Sequence, residues 1–311
     1  MRQNKKKLES YCKIVIVSIA ILSFSGIGHS QSDFVNNLIQ GLQNEDANTR
    51  AASAAALGKM SDTQSVLPLI DALNDKNANV RRGAAAALGN IKDARAVPAL
   101  IDALEDKDSK VPYVAAEALG KIGDPRAIDP LNANLKHQNY LVRLMSVKAL
   151  GMIKDNRVIF PLTAALKDKE DIVRREAAAA LGKTQDDRAV DALADALMDS
   201  DPTVRSKAAS SLGYFKNDRA IDALLVSLGD RWAGVRYQSA KSLGRINTTR
   251  AVVPLIEALK DKDARVKGAA AGALGDIGAP EAVEPLKTLL EDEDAHVRKM
   301  ATQALNRFSQ N

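Results

Sequence analysis

The sequence predicts an all-α protein, a solenoid of nine helix pairs with a 31-residue period, and three observations carry that prediction. The first is the dipeptide Leu-Gly, which recurs without insertion at Leu57-Gly58, Leu88-Gly89, Leu119-Gly120, Leu150-Gly151, Leu181-Gly182, Leu212-Gly213, Leu243-Gly244 and Leu274-Gly275, with Leu305-Asn306 in ninth place. The second is a Val-Arg pair that keeps the same step at Val80-Arg81, Val142-Arg143, Val173-Arg174, Val204-Arg205, Val235-Arg236 and Val297-Arg298, with Val266-Lys267 as a variant. The third is composition: 46% of residues are apolar, mostly Ala, Leu, Val and Ile, while aromatics make up only 4%. Small aliphatic side chains suit close helix packing better than a strand-rich sandwich. A fixed period of this length marks a repeat array, in which no unit buries its apolar face alone and stacked neighbours bury it jointly.

The chain opens on a segment of different character. Arg2, Lys5, Lys6 and Lys7 form a cationic start, Ile14 to Phe24 is apolar except for Ser18 and Ser23, and Gly28 and Ser30 are small residues placed before a cut. This pattern is that of a secretory signal peptide over residues 1–30, leaving 31–311 as one continuous repeat domain. A retained anchor is the alternative, but a spanning helix needs about 20 apolar residues, more than this run offers. The only cysteine, Cys12, precedes the apolar run, whereas a lipid-attachment cysteine would follow it. The exported chain would then hold no thiol for a disulfide or a metal. Export, to a periplasm or out of the cell, is the expected destination.

The leader also accounts for most of the net charge. The chain's 44 basic and 39 acidic residues become 39 and 38 once Arg2, Lys5, Lys6, Lys7, Lys13 and Glu9 are set aside. A body so nearly neutral, with no long basic run, argues against nucleic acid as partner, because affinity there comes from neutralised phosphates.

Within each unit the first helix is typified by Ala96 to Leu104, where Val97, Leu100, Ile101 and Leu104 fall at helical spacing behind Asp93 as its cap. Asp62, Asp124, Asp155, Asp186, Asn217 and Thr248 take the same place elsewhere, each with an oxygen able to accept a bond from an orphan backbone amide. Proline recurs early in this helix at Pro68, Pro130, Pro161, Pro254 and Pro285, where a missing N–H costs little. The second helix is typified by Val80 to Ile91, with Val80, Ala84, Ala87, Leu88 and Ile91 on one face. Small alanines there permit close approach, and the glycine after the leucine serves either tight contact or a bend ending the helix.

The carrying motifs are Asp-x-Arg-Ala-Val-x-Pro-Leu and Val-Arg-x-x-Ala-Ala-x-Ala-Leu-Gly, and they resemble the HEAT-like repeats of the phycobilin-lyase type over residues 34–311. The resemblance implies a right-handed α-solenoid of nine HEAT-like helix pairs, with second helices on the concave side and first helices on the convex side. It also implies an alternative function, a tetrapyrrole (phycobilin) lyase-like component.

Candidate chemistry is sparse. The histidines are His29, His137 and His296, the first in the leader. Members of the wider superfamily that hydroxylate proteins ligate iron with His-Glu pairs, but His137 is followed by Gln138 and His296 by Val297. No catalytic residue, metal site or cofactor is therefore expected. The acids Asp75, Asp106, Asp168, Asp199, Asp261 and Asp292 recur in turns, where capping is the simpler role. The expected function is an exported, non-catalytic scaffold, a monomer that binds another protein or peptide, with no membrane span after cleavage.

Comparison among the repeats separates framework from free positions. On the second helix the two residues after the arginine, the fifth after it and the residue following Leu-Gly project away from the core face. In the first repeat these are Ala51, Ala52, Ala55 and Lys59, and in the eighth Gly268, Ala269, Gly272 and Asp276. Central repeats place larger side chains there, and the candidate partner-binding residues are Tyr113, Glu117, Leu144, Met145, Lys148, Met152, Arg175, Tyr214, Tyr237, Lys241 and Arg245. Tyrosine, methionine and arginine are enriched in interfaces. Gap filling between helices is the competing account of these side chains. Two departures stand out: Pro112 replaces the usual arginine, and Trp232, the only tryptophan, takes a turn position that is acidic in most repeats, as an exposed anchor or as a cover over the adjacent repeat.

Overall fold

The computed structural model describes residues 31–308; the expected signal peptide, at 1–30, lies outside the described residues. The described chain holds eighteen α-helices and no strand. It divides into two compact units, one ending at Ile153 and the other beginning at Lys154.

The first unit contains α1 (Gln31–Gly41), α2 (Ala47–Met60), α3 (Val66–Ala72), α4 (Ala78–Ile91), α5 (Val97–Asp102), α6 (Lys110–Ile122), α7 (Ile128–Ala133) and α8 (Tyr140–Leu150). The second contains α9 (Ile159–Ala165), α10 (Asp171–Thr184), α11 (Val190–Ala196), α12 (Pro202–Leu212), α13 (Asp218–Ser227), α14 (Ala233–Ile246), α15 (Val252–Ala258), α16 (Ala264–Ile277), α17 (Val283–Thr288) and α18 (Ala295–Phe308). Odd-numbered helices are the first of each pair and even-numbered helices the second.

Sequence punctuation sets these boundaries. The Asp93 carboxylate accepts from the Arg95 amide at 2.9 Å and opens a short 3-10 turn that runs into α5. Asp62, Asp124, Asp155 and Asp186 do the same in their units, the Asn217 side-chain oxygen accepts from the Arg219 amide and caps α13 directly, and Thr248 accepts no such bond, a correction to the expectation for that residue. At the other end α4 stops on Lys92, whose left-handed backbone (φ 60) lets its amide reach the Leu88 carbonyl.

The periodic leucines form the core. Leu57, Leu88, Leu119 and Leu150 are fully buried in the first unit, as are Leu181 and Leu212 in the second, together with first-helix leucines such as Leu69, Leu100, Leu193 and Leu224. Burying such a side chain contributes about 1.5–3 kcal/mol. The glycine after the leucine is a contact point at Gly58, Gly89, Gly120, Gly182, Gly244 and Gly275, and it stands where the helix ends at Gly151 and Gly213. A Cβ on Gly89 would lie 2.7 Å from the Ala118 Cα in α6, and one on Gly244 2.8 Å from the Ala273 Cα in α16. At these points α4 and α6, and α14 and α16, touch backbone to backbone. Gly89→Ala is expected to destabilise the array by about 1–3 kcal/mol by overpacking, against the gain of about 1 kcal/mol that alanine ordinarily brings to a helix. Urea melts give the sign directly, and a stabilised variant would mean that α4 and α6 have room between them.

A second cross-repeat device is a ladder of ion pairs. Arg50 reaches Asp75 and Arg81 reaches Asp106 in the first unit; Arg174 reaches Asp199, Arg205 reaches Asp230 and Arg236 reaches Asp261 in the second, at 2.6–2.8 Å. Each carboxylate also accepts the amide two residues on, so the capping role expected of these acids is half of what they do. Lys267 with Asp292 is the lysine version. Where Pro112 removes the arginine, His137 takes the aspartate's place, and its Nδ1 accepts from the Asn139 amide at 3.0 Å.

The Arg50 and Arg81 hydrogen bonds hold Asp75 and Asp106 below the usual carboxylate range, against the cost of burial. At Asp199, Asp230 and Asp261 burial pushes upward most strongly, yet the guanidinium and backbone amide together outweigh it and the net shift is down. Hydrogen bonds from Arg157, Arg188 and Arg265 draw Asp155, Asp186 and Asp263 down to about 2, but these pairs face solvent and stabilise little. A carboxylate whose folded value lies below its unfolded value of about 3.9 contributes stability that is complete above that pH. The contribution disappears as pH falls through the folded value. Urea midpoints should thus hold between about pH 7 and pH 5 and decline below about pH 4. A midpoint that stays level down to about pH 3 would remove the ladder carboxylates from the stability account.

Candidate functional site

The free face of the second helices differs between the units in what it presents. In the first unit Tyr113 and Glu117 are half-buried on α6, and Glu117 pairs with Lys121 at 2.8 Å. Lys121 in turn donates to the Asn90 side chain on α4 at 3.2 Å. Lys148 is exposed on α8, and Met152 is exposed just past its end, with its sulfur over Gly120. Leu144 and Met145 correct the expectation of a free position: both are buried, each 7% exposed. The two places after the arginine are only half-exposed even where they hold small or charged side chains, as at Ala51, Ala52, Arg82, Gly83, Arg175 and Glu176. A long apolar side chain set there completes its burial against its neighbours, because apolar surface is driven out of water.

In the second unit the candidates assemble into stacked pairs. The Arg245 guanidinium on α14 lies 4.6 Å from the centre of the Tyr214 ring, which follows α12, and also donates to the Ser210 carbonyl at 3.3 Å. The Lys241 ammonium sits 5.3 Å over the ring of Tyr237, one turn earlier on the same helix. Tyr214 remains 51% exposed, Lys241 and Arg245 are exposed, and Tyr237 and Arg175 are half-buried. Such cation–π contacts fix ring orientation while leaving an aromatic face and a positive charge open to a partner.

Trp232 is 43% exposed at the start of α14. Its indole lies against Gly234, and its backbone amide, not its side chain, is engaged, donating to Asp230 at 2.7 Å. The indole is thus partly open surface, and the contact it makes is with Gly234 of its own repeat. Lys207, which the sequence reading passed over, lies beside Ser210 in a depression that also takes in Lys183 and Tyr214. Its signal was present, since Lys207 stands two places after Arg205 and so occupies a free register position.

Among the described residues no group of three or more His, Cys, Asp and Glu side chains comes together as a metal site. No described helix is long and apolar enough to cross a membrane.

Known proteins share this architecture. An engineered protein of solved structure is 24% identical, with 88% of each chain covered and a TM-score of 0.51. The Escherichia coli protein YibA is 21% identical over 93% of this chain and 100% of its own, also with a TM-score of 0.51. One chain of a structure of Kap95p bound to RanGDP aligns at 16% identity and a TM-score of 0.67 over 90% of this chain, which spans 45% of that longer one. These likenesses concern the fold. Among curated proteins no relative matches. The pattern of HEAT repeats itself matches in overlapping windows, 18–82, 35–111, 66–140, 97–182, 132–212, 159–243, 190–271 and 228–306. With its helix pairs, its glycine contacts and its arginine ladder all in that register, the chain belongs to the HEAT-repeat family.

Proposed function

We propose that this HEAT-repeat chain is an exported, non-catalytic scaffold that binds another protein or peptide through the free face of its second helices, acting as a monomer in a periplasm or outside the cell. The observation that carries the binding reading is the pair of stacks Tyr214–Arg245 and Tyr237–Lys241 in the second unit, in which Tyr214, Arg245 and Lys241 are exposed. Rigid aromatic and guanidinium groups are the side chains that dominate interface energy. The Kap95p–RanGDP structure supplies a fold-level parallel, a chain of this architecture in a protein complex. Export rests on the leader sequence, with cleavage before Gln31.

Crosslinked capture from the envelope of the producing cell, read by mass spectrometry, tests the face. A partner recovered by the native chain should be lost with Tyr214→Ala plus Arg245→Ala, and its equal recovery would move binding elsewhere. Intact mass tests export: the exported chain should begin at Gln31, and carbonate-resistant full-length chain in membranes would overturn cleavage. The phycobilin-lyase resemblance sets the rival outcome, since an absorbance shift on mixing with a linear tetrapyrrole would replace the non-catalytic reading.

A further inference from the structure

We propose that the second unit carries a docking site for an extended acidic peptide segment of a partner protein, seated over Lys183, Lys207, Tyr214 and Trp232. This rests on the protein-binding reading above and specifies the chemistry of the partner.

Two depressions open on α10, α12 and α14 and adjoin, since Lys207 and Ser210 line both. The first, of about 360 Å³, is completed by Lys183, Gln185 and Tyr214; the second, of about 250 Å³, by Trp232, Gln238 and Arg265. No carboxylate lines either one. In this unit the framework cations Arg174, Arg205, Arg236 and Lys267 are spent on the ladder, and Arg265 is held by Asp263 at 2.7 Å. Among the described residues Lys183 and Lys207 form no ion pair, and they share one depression. Lys183 is exposed and Lys207 half-buried in that hollow, so both ammonium groups can meet an incoming carboxylate of opposite charge.

Aromatic surface decides for a peptide over a simple anion. Tyr214 and Trp232, 51% and 43% exposed, stand at the two hollows and offer ring faces to side chains between the carboxylates. Trp232 also occupies a place where Asp201 and Asp263 supply a side-chain cap to α12 and α16, a bond that α14 lacks. Open, adjoining hollows suit successive side chains of a segment laid across them, whereas a small ligand is normally engulfed.

Trp232 is the only tryptophan, so its emission reports occupancy. The probe is a short tryptophan-free peptide of glutamate, glycine and leucine, titrated into the purified chain, with a lysine-for-glutamate peptide as its control. The acidic peptide should shift the emission saturably, less at higher salt, and the lysine peptide should not. Lys183→Glu plus Lys207→Glu should weaken binding by at least about tenfold, and the corresponding glutamine pair should weaken it less, with unchanged thermal melts confirming that both variants fold. Equal binding by the charge-reversed variant, or an equal shift with the lysine peptide, would overturn the site. A shift with heparin but none with the acidic peptide would overturn the choice of a peptide. If the acidic peptide fails while envelope capture still depends on Tyr214 and Arg245, this proposal falls and the scaffold reading stands.

Discussion

Arg205→Ala is expected to lower the stability of the second unit by about 3–5 kcal/mol, the range for breaking a buried ion pair from one side. The Arg205 side chain is only 5% exposed and that of Asp230 only 12%. Its Nε and Nη2 donate to the two Asp230 oxygens at 2.8 and 3.0 Å, and its Nη1 donates to the Asp199 and Ser200 carbonyls at 2.9 and 3.2 Å. Alanine leaves a carboxylate and two carbonyls without those donors, and none of the three is fully open to water. Arg205→Lys should recover part of the loss, since lysine keeps the charge but lacks the planar fork. In a double-mutant cycle Arg205→Ala with Asp230→Ala should cost less than the sum of the two singles, because the stranded charge is removed as well. Hydrogen exchange along α12 and α13 would localise the effect, which matters in an array whose units can open separately. A loss under about 0.5 kcal/mol would place the ladder with ordinary surface pairs.

Met145→Ala is expected to cost about 2–5 kcal/mol, as large-to-small changes at buried sites do. Tyr214→Ala, at a position of equal status in the sequence, should cost less than about 1 kcal/mol, most of it the contact with Arg245. The contrast follows from exposures of 7% and 51%. Partner affinity should respond in the opposite order, with Tyr214 mattering more. Matched melts of the two variants decide between filler and free surface before any partner is known, and equal costs would mean that burial at these places does not govern their energetics.

Much of the architecture was legible because it is written locally. Val80, Ala84, Ala87 and Leu88 mark a helix face by spacing alone, and all four are buried as that spacing requires. Asp62, Asp93, Asp124, Asp155 and Asp186 each accept the amide two residues on, a bond decided within one turn. Of the candidate side chains, Lys148, Lys241 and Arg245 are exposed on second helices and Met152 and Tyr214 just past their ends, while Tyr113, Glu117, Arg175 and Tyr237 are half-buried. Leu144 and Met145 were misplaced because helical phase tells which way a side chain starts, not how far its neighbours reach over it.

Sequence by itself determined the period, the helix pairs and the core leucines, since each depends on residues close in the chain repeated at a constant step. Only the tertiary structure decided which recurring residues meet. The arginines and the turn acids both repeat every 31 residues, so every offset between them looks alike in the sequence, and stacking selects the partner 25 residues on. The same stacking turns glycines such as Gly89 and Gly244 into backbone contacts with the next second helix and brings Arg245 over Tyr214. Those pairings belong to the distance between neighbouring helices, a quantity set by close packing and carried by no single repeat.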